Sequence, residues 1–532
     1  MNRRDLFRRT AGMMAGAGLA ALPGKAGARG PYDHLEDTRP RGGYNLEPPS
    51  LFLFTDRRHI NPGELVWRSP GGEVLDLNDP AGAPVAARAD LSITPQGVRL
   101  EAKPAIREET PSTPPANIIY DDGVYRAWEF RLIAEADPAR STIGIDYLES
   151  ADGYEWTRQE LAPVEAPGAW HGGEHGVFID KHGPEAERYK AIVSLHVKYS
   201  KSRSEALWKR FLELHPYYRD PRMGRENLTV ICGVVSRDGR EWRMLREPLL
   251  VSMGDTPNTI TYDPYLGKYV IYSRLYPLRR RMVGRAESDD FRHWTPLRPV
   301  VWPSLRESLA TDVYTNAYTG YPGMPQQHLM FPMFYDRFDE TSEVRMYSSL
   351  DGITWDEVPG GAILRPRRDP GSWPGEFLWV SKNLVPLKGD RIGVRFTESS
   401  RPHKYPRWQG VTQWRGGYAW WPKGRLSAVV ADEEGEFHTF RVQVTGSRLR
   451  VNARVRGAGE IRVGLWKQKQ DDPDRPAHIA GRTIEECTPI AGDSHEHLAC
   501  WNGDPILPVD PGGVIGLHFR MRAAELFSFE WV

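Results

Sequence analysis

The chain has 532 residues, with 70 Lys and Arg against 70 Asp and Glu. Hydrophobic residues at 40% and charged residues at 26% give it enough apolar material for cores, which excludes a disordered chain, and the zero balance excludes a basic nucleic-acid binder as the default reading. With 18 Trp, 51 Gly and 44 Pro, the composition favours short strands joined by tight turns.

Residues 1–28 read as a twin-arginine signal peptide. Arg3, Arg4, Leu6 and Phe7 form the export pattern, a weakly apolar run follows from Ala11 to Leu22, and Ala26, Gly27 and Ala28 supply small residues for cleavage. The predicted destination is the periplasm or the outside of the cell, with no membrane attachment after cleavage. The segment carries five basic residues and one acid, so its removal leaves 65 basic against 69 acidic residues, a net of −4. Residues 29–114 hold the apolar run Leu51–Phe54 among many Pro and Gly, and are expected to wrap the propeller edge or close its ring.

A repeat organises residues 115–430. Ser150–Trp156, Ser236–Trp242, Ser288–Trp294 and Ser349–Trp355 share the pattern S-x-D-G/F-x-x-W, with serine spacings of 86, 52 and 61. The long spacing contains a helical-looking insertion at 200–225. Ser and Asp side chains bond turn amides, Gly accepts positive φ, and Trp starts the next strand with a large apolar face. Each motif is therefore a turn between two outer strands. Four strands per repeat of about 50–60 residues is the pattern of propeller blades. A fifth blade is expected from Phe377–Leu384, Arg391–Phe396, Tyr418–Trp421 and Leu426–Val430. Residues 431–532 alternate in a different way and predict a β-sandwich. The fold class is thus all-β, a five-bladed β-propeller followed by a β-sandwich.

In a propeller the first strand of every blade lines a central funnel. These strands begin near Glu174 and His175, Asp255 and Asn258, Asp312, Tyr314 and Asn316, and Glu376, while the first blade offers Asn117. Four carboxylates from four blades would converge, and crowded carboxylates suit acid–base or nucleophilic work on a glycosidic bond. Asp255, Asp312 and Glu376 are the candidate catalytic set, with the roles of acid, base or nucleophile, and ring positioning left open among them. Glu174, His175, Asn258, Arg274, Tyr314, Asn316, Trp379 and His403 are the candidate substrate contacts. Asp121, Asp180 and Asp263 read as turn residues. No cofactor motif is present, and His171, Glu174 and His175 lack the helix that would make their spacing a metal motif. Cys232, Cys487 and Cys500 have no metal-ligand spacing; the readings are a Cys487–Cys500 pair in an oxidising periplasm or, slightly preferred, separate thiols.

The repeats, the five blades and the funnel acids resemble the five-bladed propeller glycosidases of glycoside hydrolase families 32, 43, 62, 68 and 130. A closer resemblance, carried by Ile118–Trp128, Glu187–Ala191, Asp255–Asn258, Asp312–Ala317, Leu449–Ala453 and Trp501–Gly503, is to exported glycosyl-hydrolase-like proteins of planctomycetes and related bacteria. It implies a sugar-cleaving fold. The signatures of the sucrose-cleaving family are not in their expected places: Arg368, Asp369 and Pro370 fall in a rim loop, and Glu486 and Cys487 in the sandwich. The expected function is an exported glycoside hydrolase acting on a poly- or oligosaccharide. The alternatives are a non-catalytic carbohydrate-binding propeller and a polysaccharide lyase using Tyr314, His175 and Arg274. The expected partner is a carbohydrate rather than a nucleic acid, and the oligomeric state is open.

Overall fold

A computed structural model describes residues 51–62, 66–68, 74–76, 95–133, 142–170, 175–216, 226–252, 255–276, 279–367, 375–404, 412–468 and 476–532. Residues 1–28, expected to be a signal peptide, and Glu174 lie outside these residues. No helix among them is long and apolar enough to cross a membrane.

Six antiparallel sheets form the five blades. Blade one is Ile119–Asp121, Val124–Ile133, Thr142–Ser150 and Thr157–Glu165, in that spatial order. Blade two centres on Tyr189–Lys198 and Asn227–Ser236. Blade three runs Thr259–Asp263, Lys268–Leu275, Met282–Ser288, Arg298–Val301. Blade four is split into two half-sheets, because Pro332 interrupts its second strand between Met324–Met330 and Met333–Asp336. Proline has no amide to give to a ladder.

Burial follows position in the blade. In the central strand Tyr189–Lys198 both faces are covered from Lys190 to Leu195, since neighbouring blades pack on each side. The outermost strand of blade one, Thr157–Glu165, is largely exposed and buries little beyond Leu161 and Val164. The insertion of blade two forms the helix Lys201–Leu214, capped by Ser200 Oγ accepting from the Arg203 amide at 3.3 Å and packed through Trp208 and Phe211.

The four motif turns behave alike. Ser Oγ accepts from the Gly153, Gly239 and Gly352 amides at 2.9 Å. One oxygen of Asp152, Asp238, Asp290 and Asp351 accepts two amides of the following residues, at 2.7–2.9 Å. The four Trp indoles donate to the carbonyl three residues back, at 3.0–3.2 Å. The pivot after Asp has φ 79°, 75°, 65° and 68°, and in the third motif a non-glycine, Phe291, adopts it with its ring fully buried.

One expectation about blade five is corrected. Leu426–Val430 does not complete blade five. Its outer position is occupied by Ile106–Glu109, which pairs with Trp414–Pro422. Gly417 makes room, because a Cβ there would collide with the Glu108 carbonyl oxygen. Displaced from the blade, residues 427–430 belong to the strand Ser427–His438, which pairs with Arg99–Ala102 and Val514–Trp531. Leu51–Leu53 likewise joins Val514–Trp531.

The sandwich rests on two long strands, Leu449–Gln468 and Val514–Trp531. Register shifts at Val455/Glu460 and a positive φ at Ala523 carry the ladder through the bend. Its core gathers Phe52, Phe54, Phe437, Trp501, Phe519 and Phe529 with the alternate residues of Leu449–Leu465.

Candidate active site

In blades two, four and five the inner edge is made of two short strands with a break between them, and residues at these breaks, with Asn258 of blade three, seal the axis. Asn258 Nδ2 donates to Ser194 Oγ at 2.9 Å and Ser273 Oγ donates to Asn258 Oδ1 at 2.6 Å. Thr259 Oγ1 donates to Asn316 Oδ1 at 2.6 Å, and Asn316 Nδ2 donates to the Pro257 carbonyl at 3.0 Å. Lys382 Nζ donates to the carbonyls of Asn258, at 3.0 Å, and of His175. The His175 ring meets the Trp128 carbonyl, and burial, with Lys382 beside it, lowers its pKa to about 3, so it is neutral. All of these side chains are buried.

This plug separates two mouths. One, of about 460 Å³, is lined by all five inner strands, including Tyr120, Val177, Thr261, Tyr318 and Leu384. The other is a cleft of about 510 Å³ between blades three, four and five, lined by Asp255, Thr256, Tyr314, Phe377, Trp379, Arg401, His403 and Trp414 among others. A further cavity of about 520 Å³ lies under the helix, walled by Leu207, Phe211, Leu249 and Trp294, away from the axis.

The cleft has a definite wiring. The Asp255 side chain is 53% exposed and is ion-paired with Arg274, whose own side chain is 5% exposed. Arg274 Nη2 also donates to the Tyr314 carbonyl at 3.0 Å, and its guanidinium lies 4.2 Å from the Tyr314 ring centroid. A second guanidinium, that of Arg281, lies 4.9 Å from the same ring. Tyr314 Oη and His403 Nε2 are hydrogen-bonded at 2.6 Å. The His403 ring stacks on Phe377 with centroids 4.5 Å apart. Trp379 meets Trp414 edge to face at 5.3 Å, and Trp414 is 54% exposed.

Of the candidate residues, the structure brings Asp255, Arg274, Tyr314, Trp379 and His403 to this cleft. His175, Asn258 and Asn316 are not among its walls; each is consumed by the plug, where it satisfies buried backbone and hydroxyl groups. Asp312 is no open funnel carboxylate. Its side chain is fully buried, accepting the Arg281 amide at 3.0 Å and Arg281 Nη1 at 2.6 Å, with Arg337 Nε at 3.4 Å. Its place is to hold Arg281 against Tyr314. Glu376 precedes the first strand of blade five, is half-buried, is not among the walls of the cleft, and anchors its amide on the Ser399 carbonyl at 2.9 Å.

Trp414 and Arg281 were not singled out by sequence. Trp414 was legible in principle: the third strand of blade five extends back to it, which places Phe377, Ser399 and Trp414 in one row across the sheet. Arg281 carries no comparable signal, since its partner is 31 residues away.

No family model matches the sequence, and no curated protein matches it. Among solved structures, it is similar to a glycosyl hydrolase from Bacteroides ovatus at 13% identity and a TM-score of 0.36, covering 69% of this chain and 98% of that one. It is also similar to a family 32 beta-fructofuranosidase of Bombyx mori, at 10% identity and a TM-score of 0.33, covering 81% and 94%. A family 43 endo-arabinanase from Bacillus licheniformis follows at 10% identity and a TM-score of 0.32, covering 57% and 92%. At these scores none of them bears on what the cleft does.

Proposed function

We propose that the protein is an exported glycoside hydrolase that cleaves a poly- or oligosaccharide in the cleft between blades three, four and five. The observation that carries this reading is Asp255: an accessible carboxylate, gripped by a buried guanidinium, in a cleft walled by Trp379 and Trp414. Asp255 is the general acid or base of the carboxylate pair that glycoside hydrolysis requires. The two indoles offer apolar faces to sugar rings. Asp312 is a positioning residue, acting through Arg281. Export by the twin-arginine route is part of the proposal and is supported by the N-terminal pattern around Arg3 and Arg4.

A second reading has its own observation, the Tyr314–His403 hydrogen bond under two guanidiniums. That grouping suits elimination from a uronate: the Tyr–His pair takes the proton next to the sugar carboxylate, the glycosidic C–O bond breaks, and an unsaturated uronate leaves. A guanidinium would hold the carboxylate.

One experiment separates them. The mature chain is screened against neutral and uronate polysaccharides, reading reducing ends and the ultraviolet absorbance of unsaturated uronates. Hydrolysis predicts reducing ends without absorbance, and a loss of about 10²–10⁴-fold in kcat/KM for Asp255→Asn at unchanged Tm. Unchanged turnover in Asp255→Asn removes the hydrolase reading. An absorbing product that vanishes in Tyr314→Phe selects elimination.

A further inference from the structure

Three histidines meet in the sandwich, far apart in sequence. His438 ends the strand Ser427–His438, His478 ends the edge strand Pro476–His478, and His518 lies within Val514–Trp531. Register explains the meeting. His438 and His518 are direct cross-strand partners. Across the central strand Leu449–Gln468, His518 faces Gly464 and His478 faces Trp466, two residues further along the same face. Gly464 has no side chain to separate them. One ligand nitrogen from each of the three lies within 4.8 Å of the others.

The polar groups at this spot are not spent on the protein. His438 is fully buried, and neither ring nitrogen has a hydrogen-bond partner. His518 is also buried; its Nε2 is bonded to Glu436 Oε1 at 2.7 Å, while Nδ1 has no partner. Glu436 is held in turn by Arg520 Nε at 3.2 Å. Buried ring nitrogens are almost always satisfied in folded proteins, so three orphan nitrogens on two facing rings call for a ligand. The rings of His438 and His518 stack with centroids 3.9 Å apart. His478 is exposed and leaves a path from solvent.

We propose that His438, His478 and His518 form a binding site for a divalent transition-metal ion of the zinc class. Three neutral imidazoles with no carboxylate among the ligands suit zinc, cobalt, nickel or copper rather than calcium or magnesium, which take oxygen. The carboxylate–histidine contact from Glu436 is the outer-shell arrangement that fixes a ligating ring's tautomer: a proton on Nε2 leaves the Nδ1 lone pair for the metal. Tetrahedral binding at about 2.0–2.1 Å needs ligand nitrogens about 3.4 Å apart. The exposed His478 side chain is free to swing and close that gap. The ion clips the edge strand, across Leu449–Gln468, to the two strands that carry His518 and His438.

The test uses the mature chain, stripped with a chelator and dialysed free of metal. Zinc is titrated against a chromophoric chelator, and cobalt is added separately for its visible absorption. The expected result is one tight equivalent, tetrahedral cobalt bands and a zinc-dependent rise in Tm. His478→Ala lies on the surface and leaves the core untouched; it is expected to lose at least tenfold in affinity, the cobalt bands and the rise in Tm. Glu436→Gln is expected to weaken binding about tenfold while sparing the fold. Absence of a saturable equivalent in the parent overturns the site, and so does parental affinity in His478→Ala. None of these readouts depends on turnover at the propeller cleft.

Discussion

The outer turns of the blades and the axis they surround use repetition in opposite ways. Each motif turn solves one problem with the same three side chains: a serine and an aspartate hold the amides, and a tryptophan locks the exit. At the axis the blades repeat the position but not the residue. Blade two supplies His175, blade three Asn258, blade four Asn316 and blade five Lys382, and each bonds to a different blade or strand. A turn is therefore a module, whereas an axial residue has one seat only. The open cleft sits where that sealing layer gives way on one side, and there the chemistry differs from blade to blade.

If this contrast holds, the largest single loss of stability comes from Asp312. Asp312→Ala leaves Arg281 and Arg337 without their shared carboxylate in a fully buried place. The expected cost is about 3–5 kcal/mol, read by denaturant unfolding. It is also expected to lower turnover, because Arg281 loses its hold beside Tyr314. A loss no larger than that of a motif aspartate would break the contrast. Asn258→Ala is the milder axial change. It strips partners from Ser194 and Ser273 together, and about 1–3 kcal/mol is expected from the same measurement.

The contrast also explains what was legible in the chain. The four motifs are local, so Ser150 to Trp156 and its three relatives could be read as turns between outer strands, and the propeller followed. The insertion helix was readable from its own apolar spacing. The closing strand Ile106–Glu109 was not, since nothing in four residues says which blade they complete more than 300 residues later. The two long sandwich strands were not readable as continuous, because their alternation changes phase at bulges, which look like loops in sequence. The site was legible in part. Asp255 and Tyr314 lie where blades open toward the cleft and inner-strand counting reaches them, while His403 follows the second strand of blade five at the rim. The same counting placed Asp312 and Asn258 in the open funnel, because position alone does not say whether a polar side chain meets solvent or a buried partner such as Arg281.

The smallest expected effect belongs to the turns, and it depends on pH. Amides of the turn, Glu155 first, with Lys388 beside them, hold the Asp152 carboxyl far below its usual range. Asp238 is lowered by the Glu241 and Arg240 amides. For Asp290, burial acts upward, but the His293 amide and ring and the Arg292 amide outweigh it, and the net shift is downward. Each group binds a proton less readily folded than unfolded. The unfolded chain thus takes up more protons as acid is added, and the turns' contribution is complete above about pH 4 and drains away below it. These carboxylates are near solvent, so screening limits each to about 1 kcal/mol or less. Asp152→Asn and Asp238→Asn keep an oxygen for the amides and remove only the charge. Both are expected to lower stability slightly at pH 7 and by progressively less as the pH falls below 4, with Asp152→Asn the larger because it also loses the 2.9 Å pair with Lys388. Losses at pH 7 that differ by no more than the Lys388 pair would support the modular view of the turns. A pH-independent loss would mean that the oxygen geometry, and not the charge, holds them closed.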